Sequence, residues 1–236
     1  MCVVCDWKMG RRALLELGAG LFAAAAVGGT AHSTGGPVTS LTADQALAEL
    51  KQGNQRYVTS PQVCAADLAQ ARAGVAQHQA PWATILSCAD SRVPPELIFG
   101  GQNVGELFVA RNAGNMADTA TLGTIEYGAA ALGIPLIVVL AHKRCGAVSA
   151  ACEVVEKNSK FPGSIGPMLE PILPAALAAK GKQGDFVDNA IRENATRTAA
   201  KIASSSNIVA NLIAKGKVRV VAAYYDLDSG RVEFFG

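Results

Sequence analysis

The chain has 236 residues, 50% of them hydrophobic, and a formal net charge of +2 from 21 basic and 19 acidic side chains. The length and apolar content suit one folded domain. No acidic tract suggests a disordered tail, and no basic face or aromatic-basic interleaving suggests nucleic acid.

Residues 1–31 read as a targeting segment. Gly10-Arg11-Arg12-Ala13-Leu14-Leu15 has the twin-arginine form of an export signal. Leu14 to Val27 is mostly apolar, interrupted by Glu16, and Gly29-Thr30-Ala31 is a small-residue cleavage pattern. Cleavage after Ala31 is expected, leaving a domain over 32–236. Met9 stands just before the twin arginines, so residues 1–8 are read as an upstream extension, and the CxxC spacing of Cys2 and Cys5 as having no function. The apolar run is shorter than the roughly 20 residues of a spanning helix. No stable membrane span is therefore expected after cleavage; an uncleaved anchored form is the alternative. The expected compartment is the periplasm, with a thylakoid lumen as the other translocated space. Cys64 and Cys152 read as buried small hydrophobes or as a disulfide pair.

Beyond the leader, helices and strands alternate. Thr42-Ala43-Asp44-Gln45 is a capping-box signature opening a helix to Tyr57, with Ala46, Leu47 and Leu50 on one face. Residues 66–75 form a second short helix. Trp82 to Ser87 and Glu106 to Arg111 read as strands. Asp118 caps a helix that stops at Gly133. Ile134 to Leu140, apolar throughout and rich in β-branched residues, is the clearest strand. Cys145 then opens a helix to about Glu156. Phe161 to Pro174, with four prolines, reads as a loop or a broken helix. Asp185 to Lys215 is helical with a break at Ser204-Ser205-Ser206. Val218 to Tyr225 is a strand, and Asp228-Ser229-Gly230 turns the chain into an antiparallel edge strand over Arg231 to Phe235. The expected fold is therefore single-domain α/β: a mostly parallel central sheet of about four strands plus an antiparallel edge strand, flanked by helices.

Two strings carry chemistry, CADSRVPPE from Cys88 and AHKRCGAV from Ala141. Each follows a strand, where open α/β sheets form their sites. Two thiolates, Cys88 and Cys145, and one imidazole, His142, make a zinc-type ligand set with a fourth position left over. Cys145 at a helix N-terminus gains from the dipole and free N–H groups. Asp90 and Arg92 beside the first thiol suggest catalysis; a structural zinc site with Asp90 as fourth ligand is the alternative.

CADSRVPPE, ELFVARNAGN (from Glu106), GTIEYGAAALG (from Gly123) and IPLIVVLAHKRCGAV (from Ile134) resemble the β-class carbonic anhydrases, over roughly Thr42 to the C-terminus. The resemblance implies one zinc per subunit on Cys88, His142 and Cys145. It implies reversible hydration of carbon dioxide to bicarbonate by a metal-bound hydroxide. Asp90 would orient that hydroxide, Arg92 would hold Asp90 ionised, and in a closed state Asp90 would leave Arg92 to become a fourth ligand. Activity should then rise on the alkaline side, because hydroxide competes with the carboxylate for the metal. By the same resemblance Gln79, Phe108, Ala113 and Tyr127 line the substrate pocket, Gln79 often across a dimer interface, and the protein is a homodimer or homotetramer. Core packing is the alternative for Phe108 and Tyr127, and a solvated loop face for Lys143 and Arg144. His78 reads as surface-exposed. Some family members bind inhibitory bicarbonate through tryptophan, arginine and tyrosine. Here the arginine and tyrosine are Arg111 and Tyr225, but Ile85 stands at the tryptophan position and Trp82 is displaced, which argues against that pocket. Carbonyl sulfide or carbon disulfide hydrolysis, and an inactive zinc-stabilised scaffold, are the alternative functions.

Overall fold

Thr42 sets the start of the first helix. Its hydroxyl accepts from the Gln45 N–H (3.2 Å) while its own N–H donates to Gln45 Oε1 (2.8 Å), closing the expected capping box. The computed structural model describes residues 38–60, 68–101 and 104–236, all within the unit Ala31–Gly236. The leader, Cys2, Cys5, His32 and Cys64 lie outside the described residues.

In chain order the described elements are α1 (Ala43–Thr59), α2 (Leu68–Val75), β1 (Ala83–Cys88), α3 (Pro95–Ile98), β2 (Leu107–Asn112), α4 (Thr119–Ala131) and β3 (Leu136–His142). Then come α5 (Gly146–Lys157), α6 (Ile165–Leu169), a 3-10 turn (Glu170–Ile172), α7 (Leu173–Ala179), α8 (Phe186–Ser205), α9 (Asn207–Ala214), β4 (Arg219–Tyr225) and β5 (Val232–Phe235). The sheet order is β2-β1-β3-β4-β5. The first four strands run parallel and β5 pairs antiparallel with β4. This is the α/β architecture expected from the alternating pattern.

β1 and β3 are buried along their whole length, as parallel strands covered on both faces must be. One core packs Leu86 and Val139 with Ile125 of α4 and Ile191 of α8. The other packs Ile85 and Leu140 with Leu50 of α1 and with Phe99. From β1 the chain leaves toward β2, and from β3 toward β4. The two connections diverge, so a crevice opens between the carboxyl ends of β1 and β3.

Two details differ from the sequence expectation and two follow it. β3 starts and ends two residues later than read, because Pro135 has no N–H to give the ladder and Tyr225 of β4 pairs opposite His142. The four-residue α3 escaped notice; Pro95 at its first turn starts it. Of the two readings of the proline-rich stretch, the broken helix is the one that forms, as α6, the 3-10 turn and α7 in succession, with prolines in the first turns of the last two. The serine break falls at Ser206, whose hydroxyl accepts from Val209 N–H and caps α9.

Candidate metal centre

Parallel pairing of β1 with β3 sets Ser87 opposite Leu140, so Cys88 and His142 emerge side by side one and two residues further on. A short turn through Lys143 and Arg144, the latter in the left-handed region (φ 56°), returns the chain to Cys145. Cys145 is the N-cap of α5. The two sulfurs and an imidazole nitrogen all lie within 4.8 Å of one another. All three residues are buried, with His142 at 0% exposure.

The donor set fits a zinc-type ion on the geometry of the protein alone. The sulfurs of Cys88 and Cys145 stand 3.9 Å apart, and neither residue is in a disulfide. Tetrahedral bonds of about 2.3 Å to one metal would put two sulfurs about 3.8 Å apart. His142 Nδ1 is 2.9 Å from the Lys143 carbonyl, so Nδ1 carries the proton and donates it there. That leaves Nε2 as the lone-pair nitrogen, buried and without a hydrogen-bond partner. A buried orphan acceptor is costly unless something meets it. The thiols show the same incompleteness. The Cys145 thiol, then the His142 side chain and the N–H groups of Gly114 and Asp90, pull the Cys88 pKa down against burial, whereas the neighbouring Cys88 sulfur and burial push Cys145 up. Without a cation only one of the pair ionises readily; a dication between them removes that conflict.

Backbone groups aim the first sulfur. Gly114 N–H points at Cys88 Sγ (3.4 Å), and its carbonyl accepts from Asn194 Nδ2 (2.9 Å). Gly114 has φ 81°, a left-handed conformation that favours glycine, and a Cβ there would also press on Ile172 Cδ1 at 2.6 Å. Arg111 donates through Nε to the Cys88 carbonyl (3.0 Å) and through Nη2 to the Asp90 carbonyl (2.6 Å), stapling the loop that follows β1. Neither Gly114 nor Asn194 nor this use of Arg111 was read from the sequence. A glycine two residues past the end of β2 was the one available signal.

Asp90 is bound by Arg92 through two parallel bonds, Nε to Oδ1 (2.9 Å) and Nη2 to Oδ2 (2.7 Å), with Arg92 N–H adding a third to Oδ1 (3.0 Å). The Arg92 guanidinium, against a smaller burial effect, holds the Asp90 carboxyl far below the ordinary carboxylate range. Asp90 is therefore ionised throughout the neutral range. Its Oδ2 lies 3.8 Å from His142 Nε2. The carboxylate is on Arg92 in this structure; the closed state, with Asp90 as a ligand, is not the arrangement present.

Ala113 adjoins Gly114 at this end of the sheet. Gln79, Phe108 and Tyr127 do not join the three donors of their own chain. Phe108 pairs with Thr84, four residues short of the Cys88–Asn112 pair, or about 13 Å along the strand. Its ring meets Tyr127 at 6.3 Å between centroids. Gln79 is exposed and precedes β1, so the whole strand, about 20 Å, separates it from Cys88. Lys143 and Arg144 are not simply solvated: they form ion pairs with Asp226 and Asp228. His78 is exposed. Cys152 is a free buried thiol raised by burial to about 11, and so inert. Tyr225 is buried with its hydroxyl 3.2 Å from that of Tyr57, and Ile85 is fully buried, so with Arg111 committed to the loop the bicarbonate triad is not assembled.

A parallel sheet with two thiols and an imidazole converging at its switch point, beside an arginine-held carboxylate, defines a metalloenzyme centre of the hydrolytic or hydrating kind. The family model described as carbonic anhydrase matches residues 83–232. Carbonic anhydrase 2 of Mycobacterium tuberculosis is 38% identical over 182 residues, covering 77% of this chain and 87% of that protein. The carbonic anhydrase of Mycolicibacterium smegmatis is 35% identical over 184 residues, covering 78% and 89%. Among solved structures, the Coccomyxa β-carbonic anhydrase in complex with acetazolamide superposes with a TM-score of 0.63 at 25% identity, covering 83% of this chain and 86% of that one. A tetrameric β-carbonic anhydrase of Sordaria macrospora shares the fold with a TM-score of 0.62 at 24% identity, covering 78% and 91%. The chain belongs to the carbonic anhydrase family and has the β-class fold; its reaction class is the reversible hydration of carbon dioxide.

If the three donors hold one ion, replacing any of them releases it. Purified wild-type protein should carry zinc, measurable by atomic emission, and Cys145→Ser should lose at least about tenfold in zinc retention on dialysis against a chelator. Equal retention by both would remove Cys145 from the site.

Proposed function

We propose that the chain is an exported zinc carbonic anhydrase in which Cys88, His142 and Cys145 hold one zinc per subunit and Asp90 and Arg92 serve the reaction. The observation that carries this is the buried, partnerless Nε2 of His142 facing two sulfurs, with the Arg92-held carboxylate of Asp90 alongside. Bound zinc supplies the Lewis acidity that activates water near neutral pH. Oδ1 of Asp90 already accepts two bonds from Arg92, but Oδ2 keeps a lone pair beyond its one bond to Arg92 Nη2, so it can accept a hydrogen bond from the attacking water and turn that water's own lone pair toward carbon dioxide. Arg92 fixes the carboxylate's orientation and keeps it anionic. Arg111 and Gly114 hold the loop and the sulfur still, so little reorganisation is needed during reaction.

The substrate wall is read as shared between subunits. β2 is an edge strand with partly exposed side chains. Antiparallel docking of two β2 edges would carry Gln79, Phe108 and Tyr127 of one copy from their own far end to the metal end of the other. Tyr127, 46% exposed, and half-buried Phe108 offer the apolar surface for such a contact. A homodimer is the smallest assembly that completes the site, and the tetrameric Sordaria enzymes support a larger one. Export, to the periplasm in a bacterial cell, rests on the twin arginines, the apolar run and Gly29-Thr30-Ala31.

Stopped-flow hydration of carbon dioxide tests the chemistry and the sharing together. Asp90→Asn should keep its zinc and lose roughly 100-fold in rate; Gln79→Ala should also be impaired. Unfolding and reassembling the two variants together should regain activity, because a mixed dimer owns one site with both Asp90 and Gln79 intact. An Asp90→Asn rate equal to wild type would refute the carboxylate's role, and mixtures no better than the separate variants would refute sharing. For export, Arg11→Lys with Arg12→Lys should leave unprocessed precursor in the cytoplasm; unchanged fractionation would count against the leader.

A further inference from the structure

The turn that carries two of the three donors is held from outside by the turn between β4 and β5. Lys143 Nζ reaches Asp226 Oδ2 (3.2 Å) and Asp228 Oδ2 (2.9 Å). Arg144 grips Asp228 through two parallel bonds, Nη1 to Oδ2 (2.9 Å) and Nη2 to Oδ1 (2.7 Å). Arg144 is in left-handed backbone, a conformation that is strained for a non-glycine residue and persists where its surroundings over-determine it. The carbonyl that fixes the His142 tautomer belongs to Lys143, whose own N–H donates to the Tyr225 carbonyl at the end of β4 (2.9 Å).

The β4–β5 turn is itself rigid. Asp226 Oδ1 accepts from the N–H groups of Asp228 (2.8 Å) and Ser229 (3.1 Å), and Asp226 N–H donates to the Arg231 carbonyl (2.9 Å). Buried Asn54 of α1 ties the turn to the body of the fold. Its amide donates to the Gly230 carbonyl (2.9 Å) and its carbonyl accepts from Val232 N–H (2.8 Å). On another side Lys143 and Arg144 border an open cleft of about 610 Å³. On that flank ion pairing, more than packing, is what holds them.

We propose that Asp226 and Asp228 are positioning residues. By holding Lys143 and Arg144 they preset the turn that aims His142 and Cys145 at one point, and so set how long the chain keeps its metal. This rests on the zinc reading above and adds a brace that lies far away in sequence. Because Arg144 and Asp228 are more than half exposed, the brace is screened by salt.

The test is zinc transfer from the loaded full-length protein to a colorimetric chelator, under reductant, at low salt and at about 0.5 M salt. Asp228→Asn and Arg144→Ala should release zinc about fivefold faster than wild type at low salt. Arg144→Gly, which adopts the left-handed turn without strain, should fall between them and wild type. High salt should speed the wild type toward the variants and speed Asp228→Asn less, since only the Lys143–Asp226 pair is left there to screen. Melting of the metal-free proteins should not fall in any of the variants. Wild-type release rates in the variants, or metal-free melting that falls with them as for any surface contact, would overturn the brace alone. A wild type that binds no zinc would overturn the metal reading with it.

Discussion

Two sulfurs and an imidazole nitrogen, buried and within 4.8 Å of each other, form a group that could hold a metal ion. The sulfurs compete for protons, since ionising one opposes ionising the other. The nitrogen has a lone pair and nothing to give it. Burial of such a set is unfavourable unless a cation is its usual occupant. The rest of the site follows from that constraint. Once a cation is present, a carboxylate 3.8 Å from the donor nitrogen would be drawn to it unless another positive group held it back, and Arg92 is that group.

The sheet makes the convergence possible at low cost. Cys88 and His142 are 54 positions apart in the chain, yet one parallel pairing, β1 with β3, makes them neighbours. A slip of one residue in that register would turn one donor to the opposite face. Continuous burial of both strands makes such a slip expensive, because every apolar side chain on them would move with it. The third donor comes from the helix start directly after β3, so its position depends on a turn of only two residues between ligands. Stability of the core and geometry of the site are thus linked through the same two strands.

Much of this was legible in local sequence. The two ligand strings, the strand before each and the Thr42 and Asp118 caps are short-range features, decided by residues within one turn or one strand. The serine break was legible for the same reason, since Ser206 caps the next helix itself. What stayed hidden was long-range or conditional. The prolines in 161–174 left a loop and a broken helix both open; the broken helix forms because in a helix's first turn a proline loses no hydrogen bond, and two of them start new segments there. Lys143 and Arg144 looked solvated because Asp226 and Asp228, more than eighty residues later, cannot be seen from their neighbourhood. Gln79, Phe108 and Tyr127 carry the family pattern, but the sequence does not say at which end of the sheet a pattern residue lands. Pairing Phe108 with Thr84 puts it at the end away from the donors.

X-ray absorption at the zinc edge of the purified protein in solution examines the donor set most directly. Two sulfur neighbours at about 2.3 Å, one nitrogen at about 2.0 Å and a single further light-atom neighbour are the expected shell. A shell of nitrogen and oxygen alone, or one with four sulfurs, would contradict the assignment of Cys88, His142 and Cys145 as the ligands of one ion.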